Sequence, residues 1–263
     1  MKLKLYCAQC ECPENNCEPN KLVVVVPKGK QYLVEITDKL LYEYKCDNGH
    51  LNRVFITNPK YELLFDMGLW AYFKGLYREA VSDFAASLER FYENCINIFF
   101  IERYPNQDIS GEKLEQIWKP IKKQSERQYG AFLATYMIFK GHLPKLFPES
   151  QTQFRNKVIH QGFLPSKDDT IKYAKEVARF IINIYDELTD GFKTDKLNHL
   201  HFLEVVQNNN QLKKEIKEKG IPKEEKLNGY PIFSFFRNHY AQEDWFERML
   251  ADFQKSYGER YDL

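Results

Sequence analysis

The hydrophobic residues of this chain change their spacing at about residue 58, and this change constrains the fold more than any other feature of the sequence. Upstream of it, apolar residues form short segments separated by turn residues, which is typical of β-strands. The four predicted strands are Lys2–Tyr6, Leu22–Val26, Tyr32–Ile36 and Leu41–Tyr44. Downstream, apolar residues recur every three or four positions, as in amphipathic helices, and the longest such stripe runs from Leu76 to about Ile101. The sequence therefore predicts a mainly α fold with a small β-rich N-terminal part.

Composition and charge limit the classes of function. Of the 263 residues 43% are hydrophobic, which predicts a globular chain with a sizeable core. The net charge of +1 gives no strong overall field, so a nucleic acid would have to be held by local patches. The longest early apolar run, Leu22–Val26, is far below the roughly 18 residues of a transmembrane helix. We therefore expect a soluble cytoplasmic protein with no membrane segment.

The cysteines indicate a metal site near the N-terminus. Five of the six lie in the first 46 residues, a pattern that favours metal binding over a disulfide framework in a chain of this size. Cys7 and Cys10 form a C-x2-C pair after the first predicted strand, and Cys46 and His50 bracket the segment C-D-N-G-H after the last one. These four side chains are predicted to hold a structural Zn²⁺ tetrahedrally, and the segment resembles a zinc ribbon.

A second arrangement of metal ligands is compatible with the same sequence. Cys12 and Cys17 are close enough along the chain to replace Cys46 and His50 and to complete a local four-cysteine site. We favour the ligand set split between the two segments, because a lone C-x3-H after a strand has little other use.

The segment Phe154–Gly162, with the sequence F-R-N-K-V-I-H-Q-G, combines helical periodicity with a polar cluster. Asn156 and His160 are four residues apart and share one face of the predicted helix from about Glu149 to Gln161. Arg155 lies off this face, but its long side chain can reach toward the histidine ring. An imidazole exchanges protons near neutral pH and a guanidinium binds phosphate, so the pair suits phosphodiester cleavage.

The R-N-x3-H spacing on a short helix, together with the order of the surrounding helices, resembles the active-site motif of the HEPN superfamily. The resemblance covers roughly residues 58–190. It implies a HEPN-like helical bundle that forms a homodimer with a composite cleft, and a metal-independent endoribonuclease that leaves a 2′,3′-cyclic phosphate. By this resemblance Arg155, Asn156 and His160 are catalytic, and Glu89 on the long second helix orients Arg155, with Asp83 behind it. A glutamate exposed to solvent is the alternative for Glu89.

The resemblance also implies a biological setting. The enzyme would be a toxin or a component of antiviral defence that cleaves tRNA or other host RNA, with an antitoxin or a trigger as a further partner. We divide the chain into a zinc ribbon-like β domain (1–56), a HEPN-like helical bundle (57–190) and a C-terminal helical extension (191–263). Within the bundle, Ser166 and Asp169 are predicted to form a capping box for a helix from Lys167 to about Leu188.

Two other classes of function are open. In one, the bundle is a non-catalytic module that dimerises or docks a partner, and the zinc ribbon recognises that partner or a nucleic acid. In the other, the chain is a zinc-dependent nucleic-acid-binding regulator, which its near-neutral charge disfavours. For the motif itself, the alternative to catalysis is a surface histidine beside a surface arginine. An intact Arg, Asn and His on a polar face favour the enzyme.

Overall fold

Helices make up most of the computed structural model, which describes residues 2–11, 30–103, 111–191, 210–222, 227–230, 236 and 244–262. The mainly α fold with an N-terminal β part is confirmed. The predicted strand Leu22–Val26 and the alternative ligands Cys12 and Cys17 lie outside the described residues. The helices are α1 (Ala8–Glu11), α2 (Lys60–Phe73), α3 (Tyr77–Arg103), α4 (Gly111–Ile121), α5 (Ser125–Lys140), α6 (Glu149–His160), α7 (Lys167–Gly191), α8 (Asn210–Glu218) and α9 (Trp245–Arg260).

The chain divides into two units, and the larger one contains the described parts of residues 58–210 and 234–249. Its central element is α3, which packs against α2, α5, α6 and α7. The apolar stripe predicted along α3 is buried, since Ala80, Val81, Phe84 and Leu88 are all at most 6% exposed. α2 approaches α3 closely at Gly68, where a Cβ atom would lie only 2.6 Å from ring atoms of Phe84.

Helix α6 packs on α3, and a proline before its first residue and a glycine shortly after its last limit its length. It begins after Pro148 and stops before Gly162, which has a φ of +71° that favours glycine. α7 then begins with the predicted capping box, which is confirmed. The Asp169 N–H donates to Ser166 Oγ (3.1 Å), and the Ser166 N–H donates back to Asp169 Oδ2 (3.2 Å).

The smaller unit contains the described parts of residues 1–57, 211–233 and 250–263, and it is built on two three-stranded sheets. In the first sheet β1 (Lys2–Tyr6) lies between β2 (Gln31–Glu35) and β6 (Tyr261–Asp262), antiparallel to both. In the second sheet β4 (Leu51–Ile56) pairs antiparallel with β3 (Leu41–Lys45) and parallel with β5 (Asn228–Tyr230). Each sheet therefore combines two N-terminal strands with one strand from the C-terminal part of the chain.

Helix α8 binds the second sheet through one carboxylate. Glu215 Oε2 accepts the backbone N–H groups of Leu40 (3.1 Å) and Leu41 (2.9 Å) at the start of β3. Described parts of the predicted C-terminal extension, 191–263, thus lie in both units. Within the described residues, none of the helices combines the length and the apolar character that crossing a bilayer requires.

Candidate functional site

The first candidate site is a cluster of Cys7, Cys10, Cys46 and His50, whose ligand atoms all lie within 4.8 Å of one another. The Sγ atoms of Cys10 and Cys46 are 3.7 Å apart, and Nδ1 of His50 is 3.3 Å from Cys10 Sγ and 3.7 Å from Cys7 Sγ. Ligands about 2.3 Å from a tetrahedral zinc ion would be separated by roughly 3.8 Å. The predicted side chains therefore come together and can hold a metal ion.

Two short turns of backbone aim these ligands at one point. The Cys10 N–H donates to the Cys7 carbonyl (3.2 Å), which folds the C-x2-C pair at the start of α1. Between β3 and β4, the Gly49 N–H donates to the Cys46 carbonyl (2.9 Å), and the Cys46 N–H donates to the His50 carbonyl (3.1 Å). Gly49 has a φ of +80°, which favours glycine. The spacing C-D-N-G-H therefore folds as a tight turn with a ligand at each end.

Two asparagines surround the sulfur atoms. The Asn52 side chain donates to Cys7 Sγ (3.4 Å), and that of Asn48 donates to Cys10 Sγ (3.3 Å). Burial by itself raises the pKa of the Cys7 thiol, but hydrogen bonds led by the one from Asn52 outweigh it and lower this pKa to about 6. Asn48 also lowers the pKa of Cys10, yet contact with Cys7 and Cys46 raises it overall. Crowded thiolates of this kind are stabilised by a cation.

Asn48 and Asn52 were not predicted as site residues. The only signal for Asn48 was its place inside C-D-N-G-H, and Asn52 carried none, because its role depends on the turn that brings it back to Cys7.

The second candidate site is centred on Arg155 in α6. Its Nη2 donates to Glu89 Oε1 on α3, and its Nη1 donates to Asn156 Oδ1, both at 2.8 Å. The Arg155 side chain is only 12% exposed and that of Glu89 is 26% exposed. Two hydrogen bonds therefore fix the orientation of the guanidinium, which is largely shielded from water.

His160 and Asp83 stand apart from this contact. His160 is exposed at the last position of α6, one turn after Asn156, and in the described part of the chain no hydrogen bond to its ring is found. Asp83 is half-buried on α3, where burial and the charge of Glu79 raise its pKa to about 6. The described contacts of Arg155 include Glu89 but not Asp83.

A pocket of about 90 Å³ opens beside the pair of Arg155 and Glu89, which both line it. Four aromatic side chains also line it: Tyr92, Tyr129, Phe147 and Tyr173. Burial raises the pKa of Tyr92 and Tyr173, so both phenols stay protonated at neutral pH. Sequence reasoning missed this pocket, because aromatic residues at helical spacing are indistinguishable from ordinary core residues before the helices are packed.

We compared the chain with protein families, curated proteins and solved structures. No protein-family model, curated protein or solved structure matches this chain.

Proposed function

We propose that this chain is a metal-independent endoribonuclease with Arg155, Asn156 and His160 at its active site. The observation that carries the proposal is the fixed guanidinium of Arg155, which is held by Glu89 and Asn156 with its side chain 12% exposed. Preorganised donors of this kind stabilise the charge that develops on a phosphoryl group. His160 is exposed and ends the same helix, one turn beyond Asn156, where an RNA strand has access to its ring.

In the proposed reaction, the 2′-hydroxyl oxygen of a ribose attacks the adjacent phosphorus atom and the bond to the 5′-oxygen breaks. His160 takes the proton of the attacking hydroxyl or gives a proton to the departing oxygen. Arg155 donates to the pentacoordinate phosphate, Asn156 orients the arginine or binds the phosphate, and Glu89 positions Arg155. The products are a 2′,3′-cyclic phosphate and a 5′-hydroxyl end.

One copy of the chain contributes one His160, so a homodimer that places two motifs in a composite cleft would supply both the acid and the base. Exposed apolar side chains next to α6 in sequence support such an interface, since Leu143, Leu146 and Phe163 are 45–54% exposed and Leu164 is 78% exposed. Burying such side chains against a second copy would remove apolar surface from water.

The ion in the Cys7, Cys10, Cys46 and His50 cluster is proposed to be Zn²⁺. Three thiolates and one imidazole are a typical ligand set for structural zinc, and they leave no open position for a substrate. The zinc would stabilise the small unit and have no part in the chemistry. The setting we propose is a cytoplasmic toxin or antiviral defence system, in which an antitoxin or a trigger controls the enzyme.

A non-catalytic dimerisation or docking module is the second candidate. The same exposed apolar residues favour it, because they could be buried against a partner whether or not His160 is catalytic. In that case the unit with the metal cluster would recognise the partner or a nucleic acid.

The decisive experiment is incubation of the full chain with total RNA in EDTA, followed by gel electrophoresis and end-group analysis. We expect cleavage that leaves cyclic phosphates and is lost in His160→Ala and Arg155→Ala. Lys157→Ala is the matched control, because it removes a positive charge from an exposed position of the same helix and should keep most of the activity. Circular dichroism checks that each protein is folded. Absence of cleavage by the folded wild type, or equal cleavage by His160→Ala, would reject the ribonuclease and favour the docking module.

A further inference from the structure

The aromatic pocket beside Arg155 has no role in the reaction described above. We propose that it binds one pyrimidine base of an RNA strand next to the cleaved bond, an inference that rests on the proposed ribonuclease function. The pocket is formed within the helical unit by α3, α5, α6, α7 and the segment before α6, and both Arg155 and Glu89 line it. A base held there would be anchored against the same guanidinium that faces the reacting phosphate.

The shape of the pocket favours a single six-membered ring. Its volume of about 90 Å³ is smaller than the roughly 150 Å³ of an enclosed apolar cavity that accommodates benzene. Because the pocket is open at its mouth, a single ring can enter with its edge in solvent, and a purine would leave more of its surface outside the pocket. The ring of Tyr129 is half-buried in the pocket wall and packs on the buried ring of Tyr92, 5.3 Å away by centroid with 38° between their planes. Tyr129 therefore offers a supported aromatic surface against which a base can stack.

The charges around the pocket favour a hydrogen-bond donor over a phosphate. The carboxylate of Glu89 is balanced by Arg155, but the exposed carboxylate of Glu126 also lines the pocket. Glu126 would repel a phosphate there and would accept a hydrogen bond from the amino group of cytosine or the ring N–H of uracil. The hydroxyl group of Thr152, which also lines the pocket, can donate to a carbonyl oxygen of the base, whereas Ser125 Oγ already donates to Glu126 Oε2 (3.5 Å).

The position of the pocket along α6 fits the path of an RNA strand. Thr152 lines the pocket, and Asn156 and His160 follow it at intervals of four residues. Residues at this spacing share one face of a helix and are about 6 Å apart along its axis. A strand that places its base beside Thr152 would therefore run along this face to His160.

Binding is tested separately from cleavage with fluorescein-labelled 2′-O-methyl hexamers of C, U, A and G. These oligonucleotides have no free 2′-hydroxyl and cannot be cleaved by the proposed route. By fluorescence anisotropy with the full chain, we expect at least one pyrimidine hexamer to bind about tenfold more tightly than either purine hexamer. Comparison of the affinities of the C and U hexamers then shows which of the two bases the pocket prefers.

Two variants connect this preference to the pocket. Glu126→Ala removes an exposed side chain together with its acceptor oxygens and should fold normally, and we expect it to lose most of the pyrimidine preference. Glu115→Ala, which removes an exposed carboxylate on α4 that does not line the pocket, should keep it. Tyr129→Ala removes one stacking face and should weaken binding of all pyrimidine hexamers.

The outcomes separate this inference from the proposed function. Wild-type protein that cleaves RNA through His160 but binds the four hexamers equally would overturn the base pocket and leave the ribonuclease standing. A pyrimidine preference that vanishes in Glu126→Ala, in a protein that cleaves no RNA, would support the pocket and reject the ribonuclease. An equal preference in Glu126→Ala and wild type would overturn the pocket in either case.

Discussion

The contact between Glu89 and Arg155 should contribute measurably to the free energy of unfolding, because it is shielded from water. The two side chains are 26% and 12% exposed and their charged atoms are 2.8 Å apart. Fully exposed ion pairs couple by roughly 0.2–1 kcal/mol, whereas removing one partner of a fully buried pair costs about 3–5 kcal/mol. A pair between these limits should give a coupling free energy of about 1–2 kcal/mol in a double-mutant cycle of Glu89→Ala and Arg155→Ala.

The assay is urea denaturation of wild type, the two single variants and the double variant at neutral pH. The bond from Arg155 to Asn156 is lost in both variants that lack the arginine, so its contribution cancels in the cycle. Arg248 and Asp244 are the matched control, since they form a pair of the same chemistry at 2.7 Å with both side chains more than 50% exposed. Their coupling should be much weaker and should vanish first as salt is added.

Equal coupling in the two pairs would refute this reasoning. It would mean that Glu89 does not hold the guanidinium in solution, and the proposed orientation of Arg155 would lose its physical basis. A large coupling for Glu89 and Arg155 with no ribonuclease activity would instead identify the contact as structural.

Three further predictions concern helix packing, the half-buried carboxyl group of Asp83 and the metal. Gly68→Ala should lower the free energy of unfolding by about 1–2 kcal/mol, because a Cβ would lie 2.6 Å from the ring of Phe84. The free-energy cost of this overpacking exceeds the gain from the higher helix propensity of alanine. Urea denaturation measures this change. Gly130→Ala is the control and should be neutral or stabilising, because a Cβ there would have no atom within 4 Å. The pKa of Asp83 is raised to about 6, first by burial, so the folded state binds the proton more tightly and stability falls as pH rises from about 4 to 6. Asp83→Asn should therefore raise the free energy of unfolding by about 1 kcal/mol at pH 7.5, a value reduced to allow for the partial exposure of Asp83, and should leave it unchanged at pH 3.5. Thermal unfolding at the two pH values measures this, and equal shifts in melting temperature at both would contradict it. We expect native mass spectrometry to detect one bound zinc ion per chain in the wild type and none in Cys46→Ala, and zinc retained by this variant would exclude Cys46 as a ligand.

The helices were predictable because their signal is local. The stripe along α3 and the breaks at Gly75, Gly141 and Gly162 are encoded within a few residues of where they act, and each of these glycines has a positive φ. The cluster of four side chains that can hold a metal ion was predictable for a related reason, since few uses other than metal binding account for a C-x2-C pair and a C-x3-H segment in one small unit.

Contacts between distant segments were harder to predict. Glu89 was one of two acidic candidates on α3, and only the packing of α3 against α6 brings it, and not Asp83, to the guanidinium 66 residues away. The strands β5 and β6 contain three and two residues, which is too short for an alternating pattern to be recognised. Their pairing with β4 and β1 depends on contacts across most of the chain.

The way Arg155 is held bears on what it can do in the proposed ribonuclease. Its ion pair with Glu89 is electrically neutral as a unit, so Arg155 adds little to the long-range attraction of an RNA strand by a chain whose net charge is only +1. Among the described residues, Glu89 and Asn156 accept two of the five guanidinium N–H groups, which leaves three to donate to a phosphate. Such a group acts best at short range, where fixed donors meet charge that appears only in the transition state. Capture of the substrate would then depend on other contacts, and the proposed base pocket next to Arg155 has the chemistry to provide one.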